Sequence, residues 1–290
     1  DGDVRSAIQT DAHYKRCPFA YSCQVGELGM CKWLYKNGAA ADITTEDNDG
    51  DTPMYIACEN GHLPVCQWLF EVGAAADITK GANNGTTPMY AAVHQGHLSV
   101  CKWLFEVGAK QDIYTADNEG ATPLLIACTR NQLPVCKWLF EVGANEDIAT
   151  KDNQGATPMH AACQEGHLSV CEWLLEAGAS IRDSSNDGLT PFYIACQEGH
   201  LHVCQWLFEV GAADDISKAT TAEGATPLWA ACFSGHLSVC EWLLEVGAAA
   251  DITKADNDGV TPMGIACKNG HLSVCQWLFK VGAAVDITNA

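Results

Sequence analysis

The stretch Thr52–Ile78, TPMYIACENGHLPVCQWLFEVGAAADI, decides the fold because the chain keeps repeating it. Thr-Pro pairs begin at Thr52, Thr87, Thr122, Thr157, Thr190, Thr226 and Thr261, at intervals of 35, 35, 35, 33, 36 and 35 residues. A Trp-Leu pair keeps the same beat from Trp33 through Trp68, Trp103, Trp138, Trp173, Trp206, Trp242 and Trp277. Seven clear units result, with an eighth, degenerate one at the front where Cys17-Pro18 replaces Thr-Pro. A fixed period of this size marks a repeat architecture.

Local physics explains the wording. A Thr N-cap accepts a bond from an early helical N–H, and Pro at the first helical position gives up nothing. A short helix A of about nine residues is therefore predicted from each Thr-Pro to Gly61 and its equivalents, Gly supplying the left-handed position after the helix. In one unit that Gly is Asn131, the next most tolerant residue. Helix B is predicted from His62-Leu63-Pro64, with Leu63, Val65, Cys66, Trp68, Leu69 and Val72 at helical spacing, and ends at Gly73. Loop tips such as Asp49-Gly50 and Asn84-Gly85 favour tight hairpin turns.

This pattern resembles the ankyrin repeat: a Thr-Pro-led helix, a Gly-His link, a second helix and a Gly-Ala end, over roughly residues 17–288. Most units run 35 residues against the family's 33, with the surplus between Gly73-Ala74 and Asp77-Ile78; the unit from Gly178 to Thr190 keeps the shorter spacing. The His usual after Thr-Pro-Leu survives only as His160; the position is otherwise Tyr55, Tyr90, Leu125, Tyr193, Trp229 and Gly264. The resemblance implies a mainly α fold, an ankyrin-repeat solenoid of helix pairs with β-hairpin fingers. It implies a concave face of fingers and A helices and a convex face of B helices. Residues 1–50 are expected to hold an N-terminal segment and the degenerate first repeat, and residues 51–290 seven repeats in one continuous array.

The chain has 290 residues, 16 of them Lys or Arg and 36 Asp or Glu, for a net charge of −20. That balance argues against general nucleic-acid binding and against docking on anionic lipid, both of which need a basic surface. No apolar run reaches the roughly 18 residues a membrane span needs, and a chain that starts at Asp1 carries no readable targeting signal. His13, Lys15 and Arg16 suggest a polar cap at the front. The last helix, His271–Ala283, is as apolar as the internal copies, and Asp286-Ile287 begins a further finger, so this end is expected to be covered by further repeats or a partner.

No catalytic set is visible: no Gly-rich phosphate loop, nucleophile elbow or HExxH is present. The chain reads as a non-enzyme without a cofactor. Cysteines recur at one helix B position (Cys31, Cys66, Cys101, Cys136, Cys171, Cys204, Cys240, Cys275) and one helix A position (Cys58, Cys128, Cys163, Cys196, Cys232, Cys267, with Val93 in the remaining copy). The expectation is that they pack as small hydrophobes, Cys17 and Cys23 being the more reactive, and buried thiols favour a reducing intracellular compartment. Zinc on Cys58, His62 and Cys66 is disfavoured because Gly61 breaks the helix between the first two and a fourth ligand is lacking. Calcium at Asp47–Gly50 fails because Ile56 stands where a Glu is required. A Glu ladder (Glu71, Glu106, Glu141, Glu176, Glu209, Glu245) and an Asp ladder (Asp42, Asp77, Asp112, Asp147, Asp215, Asp251, Asp286) read as solvated surface. The alternative for these ladders is attraction to a basic partner. The Trp column reads as a seam between B helices.

In the ankyrin family, partner contacts fall on finger tips and on helix A positions. Here the tips barely vary: Asn48, Asn83, Asn118, Asn153, Asn186 and Asn257 repeat, and only Ala222 differs. The candidate partner-binding residues are therefore those of the concave face: Tyr55, Glu59, Asn60, Tyr90, His94, Gln95, Arg130, His160, Gln164, Glu165, Tyr193, Gln197, Glu198, Trp229, Phe233 and Lys268. Trp229 and Phe233 share a helix face, and Phe233 takes a normally polar position. They form either a binding hot spot or a filling for the space left by Gly264, and truncating either is expected to leave the helices intact. The function implied is protein–protein binding, as an adapter or as an accessory or scaffolding subunit of a larger assembly. The alternatives are a regulatory arm of a longer enzyme or channel, and a thiol-rich redox or metal-binding protein.

Overall fold

Each Thr-Pro pair starts a helix for the reason its sequence gives. Thr52 Oγ1 accepts the Tyr55 N–H at 3.2 Å, and Thr87, Thr122, Thr190, Thr226 and Thr261 cap their helices in the same way. Such a cap contributes about 1 kcal/mol. In the degenerate first repeat the Cys17 thiol takes this role, accepting from Ala20 N at 3.5 Å. The computed structural model describes residues 16–283, and the chain divides into two compact units, Asp1–Asp147 and Ile148–Ala290. His13, Lys15, Asp286 and Ile287 lie outside the described residues.

The first unit holds α1 (Pro18–Gln24), α2 (Leu28–Leu34), α3 (Pro53–Glu59), α4 (Leu63–Leu69), α5 (Pro88–His94), α6 (Leu98–Val107), α7 (Pro123–Thr129) and α8 (Leu133–Val142). Odd-numbered A helices pack in one row, α1 on α3, α3 on α5 and α5 on α7, while α2, α4 and α6 form a second row. The second unit repeats the plan with α9 (Pro158–Gln164), α10 (Leu168–Glu176), α11 (Pro191–Gln197), α12 (Leu201–Leu207), α13 (Pro227–Ser234), α14 (Leu237–Val246), α15 (Pro262–Lys268) and α16 (Leu272–Val281). There α9, α11, α13 and α15 pack in sequence, as do α12, α14 and α16. The core lies between the rows: α3 buries Met54, Ile56, Ala57 and Cys58 completely, and α4 buries Val65, Cys66 and Leu69. Within each row the B helices are joined by aromatic pairs. Trp103 meets Phe70 edge-on at 5.9 Å, Trp138 meets Phe105 at 5.9 Å, and Trp242 meets Phe208 at 5.7 Å.

The Gly-His link joins neighbouring repeats. Gly61 closes helix A at φ +76°, and the His97 ring of the next repeat lies 2.5 Å from where a Gly61 Cβ would be. His200 stands in the same relation to Gly166, at 2.6 Å. Each ring also donates Nε2–H to a carbonyl of the preceding helix A: His62 to Gln24 at 2.9 Å, His200 to Gln164 at 2.9 Å and His271 to Phe233 at 2.9 Å.

The fingers differ from the hairpins the resemblance implies. Among the described residues no strand forms. Each tip is a turn held by a side-chain oxygen, in four of them a carboxylate: Asp47 Oδ1 accepts the Asp49 and Asp51 amides, both at 3.0 Å, while Asp47 N donates to Asp51 O at 3.0 Å. Asp117, Asp152 and Asp256 do likewise, and Asn84, Ser185 and Thr220 stand in for the acid elsewhere. These contacts explain the Asp-Asn-Asp-Gly wording without a metal. The recurring Asn is the tie between consecutive tips: Asn83 N donates to Asp49 O at 2.9 Å and its side-chain amide to Asn48 O at 3.1 Å. Asn257 does the same to Glu223 and Ala222.

The Asp ladder corrects the expectation of a solvated surface. The surplus residues of the longer units wind into a 3-10 turn after each helix B, at Ala75–Thr79, Lys110–Ile113, Ala213–Ser217 and Ala248–Asp251, and none forms in the shorter unit. The turn tucks its Asp inward, so that Asp77, Asp112, Asp215 and Asp251 are 5%, 6%, 3% and 2% exposed. One oxygen each of Asp77, Asp112 and Asp215 has no hydrogen-bond partner. The Glu ladder is exposed throughout, as expected. Arg16, expected on a polar outer face, is buried in ion pairs with Asp47 at 2.8 Å and Asp51 at 3.3 Å.

Two outcomes follow from this packing. Gly61→Ala should lower stability by about 2 kcal/mol in urea unfolding, through the left-handed backbone and the displaced His97 ring. In a His97→Ala background only the backbone part, about 1 kcal/mol, should remain. The second concerns Asp112, which burial pushes up to about 6. The folded state thus holds that proton more tightly than the unfolded chain, whose value is about 3.9, and this contribution to stability is lost as pH rises through 6. Asp112→Asn should therefore gain about 1–2 kcal/mol at pH 7.5 and nothing at pH 4, as read by urea midpoints at the two pH values.

Candidate functional site

In each unit the A helices and finger tips line a groove. In the first, a groove of 690 Å³ is lined by Tyr55, Glu59, Asn60 and Gln95 together with Arg16, Gln24, Asp49, Asp51, Asn83, Asn84 and His97. Tyr55 is buried, and its hydroxyl donates to Thr86 Oγ1 at 2.8 Å, so it forms the floor. Asn60 donates to Ile56 O at 2.8 Å. Burial pushes the Asp51 carboxyl up to about 7, with Asp47 and Glu59 adding to the rise and Arg16 opposing it. Burial raises Glu59 as well, again against Arg16. One buried guanidinium therefore stands among several crowded carboxylates.

In the second unit a groove of 450 Å³ is lined by Tyr193, Gln197, Trp229, Phe233 and Lys268, with Ala222, Glu223, Asp256, Asn257, Asp258, Val260 and Ile265. The rings of Trp229 and Phe233 stack at 5.5 Å and 17°. Trp229 is 7% exposed and its indole N–H donates to Val260 O at 3.0 Å, whereas Phe233 is 43% exposed. The Trp229 ring is not within 4 Å of where a Gly264 Cβ would be. A Cβ built on that exposed glycine meets Val260 and Thr261 instead. In the first unit the equivalent Tyr90 hydroxyl donates to Asp117 Oδ2 at 2.8 Å. The indole N–H goes elsewhere, and the matching carboxylate, Asp256, lines the groove while its Oδ1 accepts the Asp258 and Val260 amides.

The other expected residues are dispersed. Tyr90 is buried, and burial with the Asp117 hydrogen bond raises its phenol. His160 is 1% exposed: Nδ1 meets Thr157 Oγ1 at 2.8 Å, Nε2–H donates to Leu189 O at 3.1 Å, and burial lowers its pKa. It is a structural residue within the repeat. Arg130 donates to His94 Nε2 at 2.9 Å, and burial, then Arg130, lowers the His94 pKa. Gln164 and Glu165 are exposed and bonded to each other, and Gln197 and Glu198 form a like pair at 3.0 Å. The finger acids that complete both grooves, Asp49, Asp51, Glu223, Asp256 and Asp258, were not among the expected site residues. Their signal was present in the Asp-x-Asp-Gly tips, which read only as turns.

The helix rows, the Gly-His links and the Asn-tied tips are the frame of a repeat family, and the comparison agrees. The family described as "Ankyrin repeats (3 copies)" matches residues 4–81, 72–152, 144–219 and 212–289. The chain belongs to the ankyrin-repeat family. No curated protein matches it significantly. Ankyrin repeats are generally protein–protein interaction modules and typically not enzymes, which implies protein partners. No helix among the described residues is long and apolar enough to cross a membrane.

The burial difference separates the two aromatic residues as probes. Truncation of Trp229 removes a buried ring and its hydrogen bond, so the helices are not expected to stay undisturbed. Trp229→Ala should cost about 3 kcal/mol in urea unfolding and Phe233→Ala about 1 kcal/mol or less, the loss of a half-exposed stacked ring.

Proposed function

We propose that the chain is a non-enzymatic protein-binding module, an adapter or an accessory subunit of a larger assembly, and that its principal contact is the groove over Phe233. The observation that carries this reading is the stacked Trp229–Phe233 pair with Phe233 left 43% exposed. A ring locked against a buried indole loses little entropy on binding, and a pocketed aromatic residue is the usual centre of an interface. The groove adds Glu223, Asp256 and Asp258 against the single Lys268. In a chain of net charge −20 this favours a partner segment that carries basic residues. The uniform finger tips play a smaller part, because their Asn side chains are engaged with neighbouring tips.

The test is native size in an extract of the cells that make the protein, with mass spectrometry of what comigrates. The wild-type chain should run in a particle larger than its own 31.0 kDa. Phe233→Ala should recover the same partner on the order of tenfold less well, with its circular dichroism unchanged. Equal recovery by both chains would remove Phe233 from the interface, and migration as a free chain would overturn the accessory-subunit reading in favour of a transient adapter.

A further inference from the structure

One finger of the Phe233 groove departs from the other tips. Its closing bond, Thr220 N to Ala225 O at 3.0 Å, spans five positions, where Asp47 to Asp51 and Asp256 to Val260 span four. It carries no Asn, so the side-chain amide that ties Asn186 to Asn153, or Asn257 to Ala222, is missing between this tip and the one before it. Two backbone amides make that link instead, Thr221 N and Ala222 N, both to Asp187 O, at 3.2 and 3.3 Å. A further hollow of 150 Å³ beside Asp187 shares Tyr193, Gln197, Ala222 and Glu223 with the groove. The two hollows therefore form one strip that crosses Ala222.

At the Phe233 end of the strip two features fit one chemical group. One face of the Phe233 ring lies on the Trp229 indole, so its exposed surface is the opposite face and the rim. An aromatic face attracts a cation, and a guanidinium more than an ammonium, because it is planar and weakly hydrated. Asp256 is the second feature. Its equivalent in the first unit, Asp117, accepts the Tyr90 hydroxyl through Oδ2. Trp229 stands in the place of Tyr90 without a hydroxyl, and its N–H is donated to Val260 O. The donor that helix A brings to Asp117 thus has no counterpart at Asp256. Glu223 and Asp258, both exposed, add negative charge, and Lys268 is the single cation in the lining.

We propose that this strip reads arginine: a linear segment of a protein partner crosses Ala222, with one arginine side chain stacked on the open face of Phe233 and its N–H groups on Asp256. The inference rests on the Phe233 groove being the principal contact, and it names the side chain that the groove takes. A carboxylate accepts a guanidinium through two parallel hydrogen bonds, a geometry that a lysine ammonium does not match. The indole beneath Phe233 holds the ring in place before the partner arrives, so little freedom is lost on binding. Lys268 opposes the incoming charge, and its removal strengthens the contact.

The test offers the 290-residue chain to immobilised pools of short random peptides that differ in one fixed central residue: arginine, lysine, citrulline or alanine. Citrulline keeps the shape of arginine and lacks its charge. The arginine pool should retain on the order of tenfold more chain than the citrulline and alanine pools, and about threefold more than the lysine pool. Phe233→Ala and Asp256→Asn should each erase the difference between arginine and lysine, while Lys268→Ala should raise retention on arginine about twofold. Asn at position 256 still offers an oxygen to the Asp258 and Val260 amides, so the tip stands in that variant. Equal retention on arginine and lysine would overturn the proposal. So would an arginine preference that survives Phe233→Ala, because it would then belong to the net charge of −20 and not to the groove. Loss of the comigrating partner in Phe233→Ala without any arginine preference would leave the groove an interface and defeat the arginine assignment alone. Recovery of that partner by Phe233→Ala at the wild-type level would defeat the groove reading itself.

Discussion

Everything in this protein depends on an imidazole seated where a side chain is missing. The glycine that ends each helix A leaves room for the next repeat's histidine, and that ring donates a hydrogen bond back to the carbonyl end of the same helix. Shape and polarity are satisfied by one contact, as at Gly61 with His97 and Gly166 with His200. The contact sets how closely consecutive A helices approach. That spacing in turn brings the finger tips into hydrogen-bonding range, so that Asn83 reaches both Asp49 and Asn48. It also fixes which helix A residues face outward. Where the histidine is replaced, Gln132 takes the place against Gly96 with its amide, so the site requires a planar polar group rather than imidazole itself.

Most of the frame was legible in the sequence because its causes are local. Thr caps, Pro at the first helical position and Gly at the left-handed turn act within four residues of themselves, and each is where its wording placed it. The Asp ladder was not legible, since acidity points to the surface and only the 3-10 turn carries Asp77 and Asp112 inward. The burial of Tyr55 and Tyr90 was not legible for a related reason. They lie on the helix A face where the family resemblance places partner contacts, but a neighbouring finger offers Thr86 and Asp117 to their hydroxyls and buries them. Phe233 was legible as an oddity against its own equivalents, and its stacking on Trp229 required the coordinates.

The thiols show how a break in one element can hide a contact. Gly61 separates Cys58 from Cys66 in the helical pattern, so a shared face was discounted, yet the turn it makes is what folds the two sulfurs together, 3.6 Å apart. The charge distribution follows a similar logic. A net charge of −20 is tolerable because the Glu ladder faces solvent, while the groove in the first unit holds its carboxylates around the buried Arg16. Electrostatics therefore divide between a water-facing row of Glu and groove acid gathered around one buried cation.

The unit with the 33-residue interval dispenses with the 3-10 turn, and Arg182 spans the gap in its place, donating to the Gly211 carbonyl and pairing with Asp214 at 3.0 Å. Length in this part of the repeat is thus elastic, while the Gly-His distance is not. A lineage that grows such arrays by copying whole units can lose or gain two residues there without shifting the phase of any later helix. The segment after helix B acts as an expansion joint, and errors of duplication would be absorbed locally instead of accumulating along the chain.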